Sequence, residues 1–177
     1  MEFRILTEKD KTFYKQIIVD AMKESDSDFV PPLSSRSSTT QKNLLGGDSS
    51  EQGLLSYCNE MLLQVVLGAF EDGELIGFVS FKENYTNDVI FESDTPNIYL
   101  STLILKKEAR GKRLTQYMYD YLFNTLYADK SIFTRTWSTN GAHLRILEKF
   151  DFKLIKTIPN DRGEGIDTVY FAKRKKA

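Results

Sequence analysis

The chain is poor in the side chains from which metal sites and nucleophilic triads are built. One cysteine and one histidine, Cys58 and His143, occur in 177 residues. A single thiol excludes an internal disulfide framework, and the pair leaves no zinc or iron site of the usual ligand types. Serine–histidine or cysteine–histidine catalysis would have to use His143 itself, and a lone histidine on a helix is more often structural. The apolar neighbours of Cys58 favour a buried thiol over a nucleophile. Net charge is small, -1 from 24 cations and 25 anions. With no second basic stripe carrying aromatics, no nucleic-acid partner is expected. Met1-Glu2-Phe3-Arg4 opens without an apolar signal core and no run reaches bilayer length, so the reading expects no membrane and a soluble, cytoplasmic protein. A nucleotide-binding Gly-x-x-x-x-Gly-Lys-Ser/Thr loop is also missing.

What is present is a hydrophobic fraction of 41%, enough for one domain over residues 1–177 that buries roughly 70% of its unfolded surface. Phe3 and Ile5 alternate as a first strand, and Thr7 can cap a helix with Phe13, Ile17 and Ala21 four residues apart. Ser25 to Ser50 is rich in Ser, Thr and Gly and holds Pro31-Pro32. A stretch this long and irregular reads as a functional loop bordering a site. A short helix over Glu51 to Glu60 follows. Leu63 to Phe70 and Glu74 to Phe81 then read as strands joined by a hairpin turn at Asp72-Gly73. Later come a strand over Ser131 to Ser138, a helix capped by Asn140 with Leu144, Leu147 and Phe150 toward the core, and strands over Phe152 to Ile158 and Ile166 to Lys173. Lys173 to Lys176 reads as a frayed solubilising tail. The order β-α-(α)-β-β-β-α-β-α-β-β implies a mixed sheet with helices on its faces, and parallel strands within the unit Tyr99 to Ser138.

The most informative segment is Tyr99 to Tyr127. An apolar strand ends in Lys106-Lys107-Glu108-Ala109-Arg110-Gly111-Lys112-Arg113, and Leu114, Met118, Tyr121, Leu122 and Thr125 then repeat at helical spacing. The spacing predicts a helix from near Lys112, which places cations at the end already carrying roughly half a positive charge. A strand, a glycine turn and a helix start form a phosphate site from backbone donors, so an anion docking here accounts for the arrangement. A merely solvated basic turn is the competing reading.

Two local patterns within this order resemble the GNAT superfamily of acyl-CoA dependent N-acyltransferases, over nearly the whole chain. Arg110-Gly111-Lys112-Arg113-Leu114-Thr115 is similar to the family's Gln/Arg-x-x-Gly-x-Gly/Ala loop, with Arg113 and Thr115 where glycine and glycine or alanine are usual. Asn140 with Glu148-Lys149-Phe150-Asp151-Phe152 is similar to a second pattern, with Asp151 in place of a glycine and Leu147 in place of a tyrosine. The resemblance implies an α/β (α+β) fold, a central mixed, mostly antiparallel sheet of about seven strands flanked by helices. It implies acetyl-CoA as cofactor, its pyrophosphate on the backbone of Gly111 to Thr115 with Arg110, Lys112 and Arg113 at the rim. Leu103, Ile104 and Leu105 would align the thioester, and Asn140 and Leu114 would complete the site. The site is expected to survive the Arg113 substitution if Arg113 takes ordinary helical torsions.

The activity so implied is acetyl transfer to an amine of a small molecule, amino acid or protein, and a homodimer is compatible with it. The amine must be neutral to attack, and deprotonating a lysine-like amine at pH 7 costs roughly 4 to 5 kcal/mol. Glu92, Asp94, Glu164 and Asp167 are the candidate bases, and no one residue is singled out. Leu147 removes the usual general acid, leaving Tyr170, Tyr117 or water. Trp137 could wall the acceptor pocket. Glu164 and Asp167 make the turn Asn160 to Asp167 acidic, which favours a cationic acceptor. A non-catalytic coenzyme A binding module is the alternative, motivated by the altered loop and the missing tyrosine.

Overall fold

A computed structural model describes residues 1–36, 44 and 47–175. Seven strands form one sheet in the order β1-β2-β3-β4-β5-β7-β6. They are β1 (Glu2–Ile5), β2 (Val65–Glu71), β3 (Glu74–Glu83), β4 (Asn97–Leu105), β5 (Ser131–Trp137), β6 (Lys153–Ile158) and β7 (Thr168–Lys173). Only β4 and β5 are parallel. The helices are α1 (Glu8–Ser25), α2 (Glu51–Leu62), α3 (Leu114–Tyr121) and α4 (Gly141–Lys149). This is the mixed, mostly antiparallel sheet the resemblance implied.

Local chemistry explains the starts and turns. Thr7 caps α1 through a reciprocal box with Asp10, and Arg4 adds a 2.7 Å ion pair to the same carboxylate. Ser50 accepts the Gly53 N–H at 2.8 Å to start α2. Asp72 and Gly73 both have positive φ, 52° and 82°, as a two-residue hairpin turn requires. Of the stripe that the spacing suggested in α1, Ala21 is buried and Ile17 packs partly buried against the core, but Phe13 turns outward. Phe13 is 76% exposed, and Ile18, Val19, Ala21 and Met22 are the buried positions. Lys173 belongs to β7, where its ammonium donates to the Phe150 carbonyl at 2.9 Å, so the basic tail begins later than the sequence suggested.

Two apolar layers sandwich the sheet. Ile18, Met22, Leu54, Tyr57, Met61, Phe78 and Ile104 join α1 and α2 to one layer, and Cys58 is fully buried there. Leu100, Leu114, Met118, Leu122, Leu147 and Phe152 join α3 and α4 to the other.

Candidate active site

The site begins as a fault in the sheet. Against β3, Ser80 pairs with Thr102 but Phe81 pairs with Leu100, so Ser101 is an extra residue in β4. Such a bulge exchanges the faces of every residue beyond it. Ile98 and Leu100 pack in the α3 layer before it, and Leu103 and Leu105 return there after it, while Ile104 passes to the opposite layer. The Ser101 hydroxyl is fixed by Gln64 and by Ser80. Thr102 is fixed by the Tyr57 hydroxyl at 2.6 Å.

The parallel pairing of β4 with β5 stops at the same level. Its register runs from Asn97 with Ser131 to Leu100 with Thr134. Beyond it both strands continue, β4 to Leu105 and β5 to Trp137, with a cleft between them. The cleft has a volume of about 310 Å³, and Leu103, Ile104, Leu105, Arg110, Thr115, Trp137 and Asn140 all line it. Ser25, Asp28 and Phe29 close one side, which places the start of the Ser25 to Ser50 loop at the site; residues 37–43 and 45–46 of that loop lie outside the described residues.

The cationic turn stands at the mouth. Gly111 has φ +74°, and a Cβ there would meet nothing within 4 Å, so its need is conformational and the space beside it is open. The helix starts at Leu114, two residues later than the spacing predicted, because Arg113 is left-handed at φ 59°, ψ 19°. Ordinary helical torsions are therefore not what Arg113 adopts; its backbone lies in the left-handed region that favours glycine. Asp151, at the second altered glycine, is likewise at φ 62°. No side chain caps α3, and the first helical acceptor, Arg113 O, is taken by Tyr117 N–H. The N–H groups of Leu114, Thr115 and Gln116 thus precede the helical ladder and are open to an anion. Leu114 itself contributes its backbone only, since its side chain is 1% exposed in the core. Lys112 and Arg113 are exposed at the rim. Arg110 is engaged: it pairs with Asp28 at 3.0 Å and donates to Ser25 Oγ at 2.8 Å, tying the turn to the end of α1.

Asn140 caps α4 through Oδ1 and donates to Thr136 Oγ1 at 3.0 Å, so it holds the β5 arm to the helix. His143, one turn on, shares a 2.7 Å hydrogen bond between its Nε2 and the Tyr119 hydroxyl, and both line the cleft. Burial lowers the imidazole to about 4 and raises the Tyr119 phenol. The ring is thus neutral, and its tautomer decides whether Nε2 or the Tyr119 hydroxyl is the donor. Leu147, at the family's tyrosine position, is fully buried in the α3–α4 layer.

Several other candidates are elsewhere. Glu92 is exposed and Asp94 accepts the Phe91 N–H and pairs with Arg174, both before β4 begins. Tyr117 is 52% exposed. Glu164 is exposed, and Asp167 accepts the Asn160 N–H at 2.9 Å; neither lines the cleft. The same turn instead directs Arg162 inward, where it is 4% exposed. Sequence reasoning missed Arg162, Arg36 and Arg135. The signal for Arg135 was available, since strand alternation puts it on one face with Phe133 and Trp137.

No protein of curated function matches the sequence. Solved structures do match. An N-acetyltransferase of Staphylococcus aureus Mu50 superposes with a TM-score of 0.64 at 15% identity, over 99% of this chain and 98% of its own. The yncA protein of Salmonella typhimurium, solved with its cofactor acetyl-CoA, gives 0.63 at 15%, over 100% and 95%. A ribosomal-protein-alanine N-acetyltransferase of Brucella melitensis gives 0.63 at 15%, over 98% and 99%. At such identities they establish the shared fold. The sequence model of the Acetyltransferase (GNAT) family matches residues 26–152, from the loop after α1 through the cleft to the end of α4. With most of its length matched and its β4–β5 cleft formed as described, the chain belongs to the GNAT acetyltransferase family.

Proposed function

We propose that the protein is an acetyl-CoA dependent N-acetyltransferase acting on an amine. The observation that carries this reading is the coincidence of the Ser101 bulge with the end of β4–β5 pairing, which frees the β4 edge from Ser101 to Leu105 next to an uncapped helix start. The residues present fit the cofactor. Open space lies beside Gly111, and the donors of Leu114, Thr115 and Gln116 suit a pyrophosphate, with Lys112 and Arg113 adding charge. The edge of Leu103 to Leu105 offers backbone groups to an extended chain, as an added strand would. When bound, acetyl-CoA supplies a thioester-linked acetyl group that a neutral amine can accept.

The rest is the work of this chain. β4 backbone N–H groups at the free edge face the cleft, where an oxyanion would gain from such fixed dipoles. The Tyr57–Thr102 and Ser101–Gln64 bonds hold that edge rigid, so the donors are aimed beforehand. His143 is neutral at pH 7 and orients the Tyr119 hydroxyl on the α3–α4 side. The test is a titration with acetyl-CoA followed by thiol release over a broad amine panel. The reading expects binding and acetyl-CoA-dependent thiol release with at least one amine; binding with no release above background would refute transfer.

A further inference from the structure

Three arginines that the cofactor reading leaves unused converge behind the β5 arm. Arg36 is 7% and Arg162 4% exposed, and Arg135 lines the cleft one residue beyond the point where β4 and β5 part. Arg36 and Arg162 donate to the same carbonyl, Val30 O, at 3.5 and 2.9 Å, so their guanidinium groups are neighbours. Arg36 also donates twice to Pro31 O, at 3.2 and 2.9 Å, and Arg162 to Thr168 Oγ1 at 2.9 Å. Arg135 donates to the Tyr170 hydroxyl at 3.4 Å.

The aromatic rings continue the pattern. Arg36 lies 5.7 Å over Phe29, Phe29 lies 5.7 Å from Trp137, and Arg162 lies 5.8 Å over Trp137. Two paired rings are thus flanked by a cation at each end, and Phe29, Trp137 and Arg135 line the cleft.

The partners of Arg36 and Arg162 are backbone carbonyls and a hydroxyl, which orient their charge without cancelling it. Among the described residues, neither Arg36 nor Arg162 forms an ion pair with a carboxylate. Asp161 offsets part of the field, yet its carboxylate is held by the Thr168 hydroxyl at 2.6 Å. Burial, then Arg36 and Arg135, push Arg162 down to about 9, so the three groups repel one another. Concentrated buried charge of one sign is costly unless a ligand of opposite sign completes it.

We propose that this cluster is an anion site, and that the acceptor is an amino acid or similar small molecule bearing a carboxylate beside its amine, met by Arg135 with Arg36 and Arg162 behind it. The inference rests on the acetyltransferase reading above and deepens it. A guanidinium fork matches a carboxylate in two bonds, which fixes the amine at one distance from the β4 edge. The proposed function assigns the coenzyme A pyrophosphate to the backbone donors of the turn and α3 start, which leaves the arginines behind the β5 arm for the acceptor. This reverses the cationic acceptor that Glu164 and Asp167 suggested, because the turn presents its arginine inward.

The experiment compares the L-amino acids with their primary amides as acceptors, following thiol release. In parallel, the thermal shift each causes in the coenzyme A saturated protein is measured. The proposal expects acids to have KM values at least tenfold below those of their amides. Arg135→Gln should raise the acid KM at least tenfold with kcat within about threefold and acetyl-CoA binding unchanged, and Arg135→Lys should recover part of the loss. Amides equal to or better than acids overturn the proposal while leaving acetyl transfer intact. If no acceptor turns over, stabilisation by acids and not by amides supports the anion site independently, and stabilisation by neither, or equally by both, overturns it. An Arg135→Gln protein whose melting temperature drops is read from Arg135→Lys, where unchanged acid selectivity in both binding and KM also counts against a guanidinium fork.

Discussion

Arg113 and Asp151 are residues with a Cβ placed on backbone that favours glycine. Both sit where a glycine is usual in the family, and both keep left-handed torsions, φ 59° and 62°. That conformation costs a residue with a Cβ about 1 to 2 kcal/mol. Because both are exposed, side-chain loss there is cheap, and glycine and alanine can be compared directly. Arg113→Gly should therefore be more stable than Arg113→Ala by about 1 kcal/mol in urea denaturation, and Asp151→Gly likewise against Asp151→Ala. Equal stabilities would mean the turn relaxes. His143 gives a second residue-scale outcome. Its folded value of about 4 lies below the ordinary histidine value of about 6.5, so the unfolded chain binds the extra proton first. Stability from this group is complete above pH 6.5 and is lost as pH falls through 4, in total about 3 kcal/mol. Denaturation at pH 7, 5.5 and 4.5 should show that slope in the native protein and its loss in His143→Gln; parallel slopes would place the histidine in water.

Elements were legible in the sequence to the extent that periodicity decided them. Seven strands, the α1 and α4 caps and the Asp72-Gly73 turn follow from alternation and capping chemistry. The bulge at Ser101 did not, because an unbroken run from Tyr99 to Leu105 reads alike with or without an inserted residue, and only pairing with β3 reveals it. The arginine cluster was hidden for a related reason: its members lie in three separate segments, and although alternation marks Arg135 in β5, the loop charges Arg36 and Arg162 carry no sign of being folded inward. The segment bearing Phe29 and Arg36 is held by close backbone approach to α2. A Cβ on Gly53 would stand 2.1 Å from the Ser34 carbonyl oxygen. Gly-to-Ala inside a helix ordinarily stabilises by about 1 kcal/mol. Here the sign reverses, and Gly53→Ala should destabilise by about 2 kcal/mol and raise acceptor KM more than acetyl-CoA KM. A stabilised variant with normal kinetics would show that this contact does not position the loop.

At the scale of the molecule, the proposed reading has one sheet serve two ligands because β4 and β5 fail to pair along part of their length. β4 and β5 are tied together from Asn97 to Leu100, and the arms that separate beyond carry different chemistry. The β4 arm is apolar with an open backbone edge and leads into the glycine turn; the β5 arm carries Arg135 and Trp137. Helices on both faces keep the arms apart, with Tyr57 of α2 bonded to Thr102 and Asn140 of α4 bonded to Thr136. The central claim, that the free β4 edge and the uncapped α3 start receive acetyl-CoA, is tested most directly by amide hydrogen exchange with and without saturating coenzyme A. The account predicts new protection concentrated in Ser101 to Leu105 and Gly111 to Gln116, with β1, β2 and β6 unchanged. Protection spread evenly over the sheet, or confined to segments away from the cleft, would contradict it.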